Sequence, residues 1–152
     1  MKKQTVALTA ALSVLLIMLT LYANINNSDA SGYTSNDVQL LARCVNGEAR
    51  GEPYTGQVAV AAVILNRVKH PSFPNTMSGV IYQPGAFTAT VDGQINVAID
   101  PASTVYKACQ DAMNGWDPSG GAIYYYNPAK TTNKWIWSRP IVTVIGRHNF
   151  AK

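Results

Sequence analysis

The sequence predicts a small α+β domain, rich in helix and with short β segments. Three observations carry this reading. From residue 38 apolar residues recur at helical spacing, the stretch 57–68 is apolar on nearly every side, and short apolar segments between Gly- and Pro-rich loops fill the C-terminal third. At 152 residues the chain has room for one ordinary core and not for two. A hydrophobic share of 47% excludes a disordered chain.

The chain opens with a different kind of segment. Met1-Lys2-Lys3 is a positive start, residues 6–23 are uncharged and largely apolar, and Ser28-Asp29-Ala30 places small residues at the −3 and −1 positions of a cut after Ala30. That layout is a secretory signal or, given its length, an N-terminal membrane anchor through 6–23. Either way the remainder is expected to be exported. Residues 31–36 read as a linker, and 37–152 as the working domain.

Within that domain Val38, Leu41, Ala42 and Val45 stand at i, i+3, i+4 and i+7, which predicts an amphipathic helix behind the cap types Thr34, Ser35 and Asn36. Gly51 and Pro53 end it. Gln57 to Val68 is too long for an ordinary strand and is read as a buried helix, closed by His70-Pro71. A loop follows, with a short helix at Ser78 to Tyr82. Phe87–Val91 and Gln94–Ile99 flank Asp92-Gly93, a hairpin signal. Asp100-Pro101 is expected to start the next helix, whose apolar face is Val105, Ala108, Cys109, Ala112 and Met113 and whose end is Gly115. Ala122–Tyr126, Trp135–Trp137 and Ile141–Ile145 are expected to be short strands.

Charge is scarce. Charged residues are 13% of the chain and the net charge is +4, with the basic residues scattered. Nucleic acid is therefore not an expected partner. Two Cys and two His without CxxC or HExxH spacing predict no metal site, and no cofactor motif is present. Cys44 and Cys109 both fall on apolar helix faces, where a free thiol and, in an exported protein, a disulfide are both admissible.

Only two residues are Glu, namely Glu48 and Glu52. Glu48 continues the apolar stripe of its helix, three positions after Val45. A carboxyl group on an apolar wall can keep its proton and serve as a general acid. The competing reading is a solvated helix-end residue. Glu52, beyond Gly51 and beside Pro53, reads as exposed or capping. Tyr82, Phe87, Tyr124, Tyr125, Tyr126, Asn127, Trp135 and Trp137 offer stacking faces and an amide suited to sugars, and equally to packing. In a strand Tyr124 and Tyr126 share one face while Tyr125 and Asn127 share the other.

Several ordered motifs carry a family resemblance. Gly47-Glu48-Ala49-Arg50-Gly51-Glu52-Pro53-Tyr54, Gly56-Gln57-Val58-Ala59-Val60, Val63-Ile64-Leu65-Asn66-Arg67, Gly79-Val80-Ile81-Tyr82, Gln83-Pro84-Gly85-Ala86-Phe87, Tyr124-Tyr125-Tyr126-Asn127-Pro128, Trp135-Ile136-Trp137-Ser138-Arg139-Pro140 and Gly146-Arg147-His148-Asn149-Phe150 resemble the catalytic domain of bacterial spore cortex-lytic enzymes. This is the cell-wall hydrolase family of SleB and CwlJ type. The resemblance runs from about Asp37 to Ala151. It implies a lysozyme-like, lytic-transglycosylase-like fold. It also implies cleavage between N-acetylmuramic acid and N-acetylglucosamine in peptidoglycan, on spore cortex carrying muramic-δ-lactam. Glu48 falls on the family's catalytic Glu. Substrate contacts are expected at Gln83, Phe87, Thr88, Tyr125, Tyr126, Asn127 and Trp137. The expected partner is the peptidoglycan glycan strand; a regulatory protein partner is left unassigned.

Three rival readings stay open at this level. One is hydrolysis with Asp92 or Glu52 as a second carboxylate. Another is a wall thiol peptidase using Cys44 and His148. The third is a non-catalytic wall-binding module with aromatic loops as its platform.

Overall fold

The computed structural model describes residues 32–152, together with Val14, Leu16 and Met18. The chain divides into two units, Met1–Thr34 and Ser35–Lys152. In the first, Val14, Leu16 and Met18 are helical and exposed. The leader or anchor read at 1–30, with its cut after Ala30, otherwise lies outside the described residues. Among those described, no helix is long and apolar enough to cross a membrane.

The second unit is helical first and β last. Helix α1, Ser35–Ala49, starts inside the stretch read as linker and buries Val38, Leu41, Ala42, Cys44, Val45 and Ala49. This is the predicted stripe, extended by the small residues that let a neighbour approach. Helix α2, Tyr54–Lys69, is the centre of the domain; every residue from Val58 to Leu65 is buried. It packs against α1, against the short α3, Met77–Ile81, and against α4, Thr104–Met113. Small Ala and Val side chains along α2 allow close packing on several sides at once. Thr76 caps α3 by accepting from the Gly79 N–H at 3.1 Å.

The last part folds into a three-stranded antiparallel sheet in the order β1-β3-β2: β1 Tyr124–Tyr126, β2 Ile141–Ile145 and β3 His148–Ala151. Tyr125 pairs with Phe150, and Ile145 with His148. The turn between β2 and β3 requires Gly146, whose φ is +58°. Phe150 is fully buried and ties the sheet to the core. This helix-rich α+β architecture agrees with the fold class expected.

Four local expectations are corrected. The hairpin around Asp92-Gly93 is absent. Two 3-10 turns stand there, Thr88–Thr90 and Gln94–Asn96. The Asp92 carboxylate accepts from the Gln94 N–H at 3.0 Å, so the turn starts a second 3-10 turn and no strand pair forms. Ala89 and Ile95 are buried, and both turns pack on α1. Helix α4 starts three residues later than Pro101 suggested. Asp100 spends its side chain on the Ala102 N–H at 2.8 Å, and Ser103 caps the helix at Tyr106 N. Trp135–Trp137 is not a strand, because a 3-10 turn occupies Ile136–Ser138. Asn133 accepts from the Trp135 N–H at 3.0 Å and Ser138 Oγ donates to the Trp135 carbonyl at 2.7 Å, which curls this segment. Finally, β3 carries no strand signal of its own, since His148-Asn149-Phe150-Ala151 is short and mixed, yet it is the central strand.

Candidate active site

Glu48 sits in the last turn of α1, partly buried. Its two oxygens are held from different directions. Oε1 accepts from the Ala89 N–H at 3.0 Å, and Oε2 from the Tyr125 hydroxyl at 2.8 Å. One donor comes from a 3-10 turn and the other from the sheet, so three separate parts of the chain meet at one carboxyl group. Gly47 makes the first contact feasible. A Cβ there would come within 2.6 Å of the Ala89 Cβ and 3.0 Å of the Gln94 Cβ. The glycine beside Glu48 thus lets the 3-10 turn lie against the helix end and deliver its N–H. Burial, and then the neighbouring Glu48, push the Tyr125 phenol well up, so it stays a neutral hydroxyl.

Glu52 was expected to be exposed or capping. Instead its side chain is 3% exposed and is clamped by Arg147. The Arg147 backbone N–H donates to Oε2 at 2.9 Å, Nε donates to Oε1 at 2.7 Å, and Nη2 reaches the Gly51 carbonyl at 3.1 Å. Burial raises this carboxyl, but the Arg147 bonds outweigh it and hold the group below the usual carboxylate range. A Cβ on Gly146 would collide with the Glu52 carboxylate, so the turn must be glycine for this clamp to form. The clamp fastens the α1–α2 corner to the β2–β3 turn.

A cleft of about 430 Å³ opens between these elements. Glu48, Thr88, Tyr125, Tyr126 and Asn127 line it. The faces of β1 do not separate as alternation suggested. Tyr125 reaches Glu48 while Tyr126, at the strand end, also borders the cleft and accepts from the Asn149 amide at 3.2 Å. Gln83, Phe87 and Trp137 stand outside the lining. Phe87 is buried beneath the Arg67 guanidinium, 5.2 Å from its ring centre. Trp137 is half exposed and meets Tyr126 edge-on at 5.5 Å. The Gln83 carbonyl closes a tight turn with the Ala86 N–H at 3.0 Å.

The cleft also holds Arg67, Lys130, Arg147 and His148, which local sequence did not single out as glycan contacts. For Arg67 a signal existed, since it is the first cation in an otherwise largely apolar helix. Arg147 and Lys130 carry none, because their positions depend on sheet pairing and loop path. His148 is buried, and its ring meets Tyr125 edge-on at 5.2 Å. Burial lowers its pKa, which favours the neutral imidazole.

Cys44 and Cys109 are both buried free thiols. Burial pushes the Cys44 thiol far up, which opposes the thiolate a peptidase nucleophile requires. Among the described residues, no three of His, Cys, Asp and Glu are grouped so as to hold a metal ion.

Known proteins resemble this chain over most of its length. The profile of the Cell Wall Hydrolase family matches residues 51–151, starting just after Glu48. A spore cortex-lytic enzyme of Bacillus cereus is 62% identical over 122 residues, covering 80% of this chain and 46% of that protein. The chain thus spans about half the length of the curated relatives it matches first. A cell wall hydrolase CwlJ of Bacillus subtilis is 29% identical over 122 residues, covering 77% of this chain and 85% of the relative. The crystal structure of the catalytic domain of Bacillus cereus SleB superposes with a TM-score of 0.76 at 61% identity, covering 80% of this chain and 93% of that one. The catalytic domain of a germination-specific lytic transglycosylase, SleB from Bacillus anthracis, gives the same TM-score at 60% identity and 98% coverage of its chain.

Proposed function

The chain belongs to the Cell Wall Hydrolase family, and on that premise we propose that it is a peptidoglycan glycosidase with Glu48 as its acid and base. The bond cleaved joins N-acetylmuramic acid to N-acetylglucosamine. The reaction is a lytic transglycosylation, and the setting is spore cortex during germination. The observation that carries the chemistry is Glu48 itself: one carboxyl group, gripped at both oxygens, in a cleft wide enough for a sugar.

Glu48 gives its proton to the glycosidic oxygen as the bond to the muramic C1 breaks. Positive charge spreads over C1 and the ring oxygen. The resulting Glu48 carboxylate takes the proton of the same sugar's C6 hydroxyl, O6 closes onto C1, and a 1,6-anhydro end remains. The proton lent to the leaving sugar is thereby replaced, and no water is consumed. Ala89 N–H and the Tyr125 hydroxyl hold the carboxylate in place between the two steps.

The hydrolytic alternative needs a second carboxylate. Glu52 is the other carboxylate lining the cleft, and it is engaged with Arg147. Asp92 does not line the cleft and is engaged with Gln94 N. Both facts favour the one-carboxyl route. A wall-binding module has no use for a carboxyl group held in this way.

The relatives' names, spore cortex-lytic enzyme and cell wall hydrolase, support a substrate in the cell wall or spore cortex. An export signal or anchor in 1–30 suits that location. Digestion of purified cortex and vegetative peptidoglycan, followed by mass spectrometry of the released fragments, tests the proposal. Anhydro-muramic ends, with lactam-bearing cortex preferred, are expected. Reducing muramic ends would replace transglycosylation with hydrolysis, and binding without release would favour the module.

A further inference from the structure

The cleft carries more positive charge than the proposed chemistry uses. Of its two carboxylates, Glu52 is committed to Arg147, and Glu48 accepts from neutral donors. Two cations on the same walls are left without a carboxylate. Arg67 is 8% exposed yet faces the cleft. Its Nε donates to the Ile123 carbonyl at 2.7 Å, and its guanidinium carbon lies 5.2 Å from the Phe73 and Phe87 ring centres and 5.8 Å from that of Tyr124. The side chain is therefore fixed, with both Nη groups left without a hydrogen-bond partner among the described residues. Buried guanidinium groups are normally paired, and among the described residues Arg67 makes no ion pair. Lys130 is exposed at the rim of the same cleft, and its ammonium likewise has no partner among them. When Glu48 carries its proton, as its acid role demands, neither cation has a free counter-charge in the cleft.

We propose that Arg67 and Lys130 form an anion subsite beside Glu48 that takes a carboxylate borne by the muramic residue. This rests on the glycosidase reading above. Muramic acid differs from glucosamine by a lactyl ether that ends in a carboxyl group. Without a peptide that group is a free carboxylate; with a peptide the charge moves outward to the peptide's own carboxylate. A lactam or a glucosamine residue has neither. The planar guanidinium suits two-point contact with a carboxylate, and the lysine adds a mobile point charge at the entrance. The subsite therefore sets a carboxylate-bearing muramic residue, not a lactam, next to Glu48, so that in lactam-bearing cortex the lactam occupies another position of the strand.

The test uses the full chain with Glu48→Gln, in which the neutral amide stands in for the protonated acid and nothing is cleaved. Chemical-shift titration compares N-acetylmuramic acid with its methyl ester, and an N-acetylmuramoyl dipeptide with its fully esterified form. A free carboxylate should tighten binding by about tenfold, as one charge-assisted hydrogen bond does, and added salt should erode the gain. An advantage in the first pair assigns the lactyl carboxylate as the ligand, and an advantage in the second pair alone assigns the peptide carboxylate. Lys130→Ala and Arg67→Lys should each shrink it. Should Arg67→Lys fail to fold, the surface variant Lys130→Ala still decides. Equal affinity within both pairs, or an advantage untouched by Lys130→Ala, overturns the subsite. Peptidoglycan clearance by the unmodified chain is measured alongside. Clearance with no carboxylate preference removes the subsite alone, whereas absence of clearance removes the glycosidase reading.

Discussion

Glu48 and Glu52 lie four residues apart at one helix corner, and their surroundings are opposite in kind. Glu48 is held by a backbone N–H and a phenol, both neutral, and it opens onto the cleft. Glu52 is held by a guanidinium and a backbone N–H of Arg147, and its side chain is almost wholly enclosed. A carboxyl group gripped by neutral donors can exchange a proton with a substrate. One locked to a cation stays charged and works as a fastener. The difference comes from what distant parts of the chain bring to each, not from the short stretch that carries both.

Breaking the first site should have the largest effect. Glu48→Gln keeps the shape and removes the transferable proton, so lytic activity should fall on the order of a thousandfold while the melting temperature barely moves. Breaking the fastener should act on stability. Arg147→Ala takes the guanidinium from the enclosed Glu52 carboxylate and leaves it only the backbone N–H, which should cost about 1.5 kcal/mol in denaturant unfolding. Gly47→Ala probes the link between helix and 3-10 turn. The added methyl meets Ala89 and Gln94, so unfolding should weaken by about 2 kcal/mol, and activity should drop as the Ala89 N–H withdraws. Tyr125→Phe removes one grip on Glu48 and should lower kcat by about tenfold with little change in KM.

The smallest effect concerns acid. The folded state holds the Glu52 carboxyl low, so its share of stability is complete above the unfolded-state value and is lost as pH falls toward the folded one. His148 is also lowered in the folded state. Its neutral form is favoured there, so stability starts to fall below the ordinary imidazole value. Glu52→Gln should shrink the carboxylate part of the pH–stability curve and, by removing a charge that partly holds the His148 imidazole up, enlarge the imidazole part.

The helical half of the fold was legible because periodicity survives burial. Val38, Leu41, Ala42 and Val45 mark a face, and the apolar run after Gln57 marks a helix surrounded on all sides. The turns were less legible. Asp92-Gly93 signals a reversal equally well for a hairpin and for a pair of 3-10 turns; burial of Ala89 and Ile95 chose the second. The central strand His148–Ala151 has no alternation to show, because three of its four residues are buried. The same limit applies to the site. Glu48 could be singled out from its own helix. The clamp on Glu52 could not, since it depends on Arg147 reaching back 95 positions. Arg67 and Lys130 meet in the cleft through packing and loop path, which short-range pattern does not encode.

The most direct measurement is the rate at which anhydro-muropeptides are released by Glu48→Gln and Glu52→Gln, each normalised to folded protein and compared with the unmodified chain. An acid and base role for Glu48 predicts near-complete loss for Glu48→Gln and retained release for the folded fraction of Glu52→Gln. Retained release in Glu48→Gln, or equal loss in both, would contradict it.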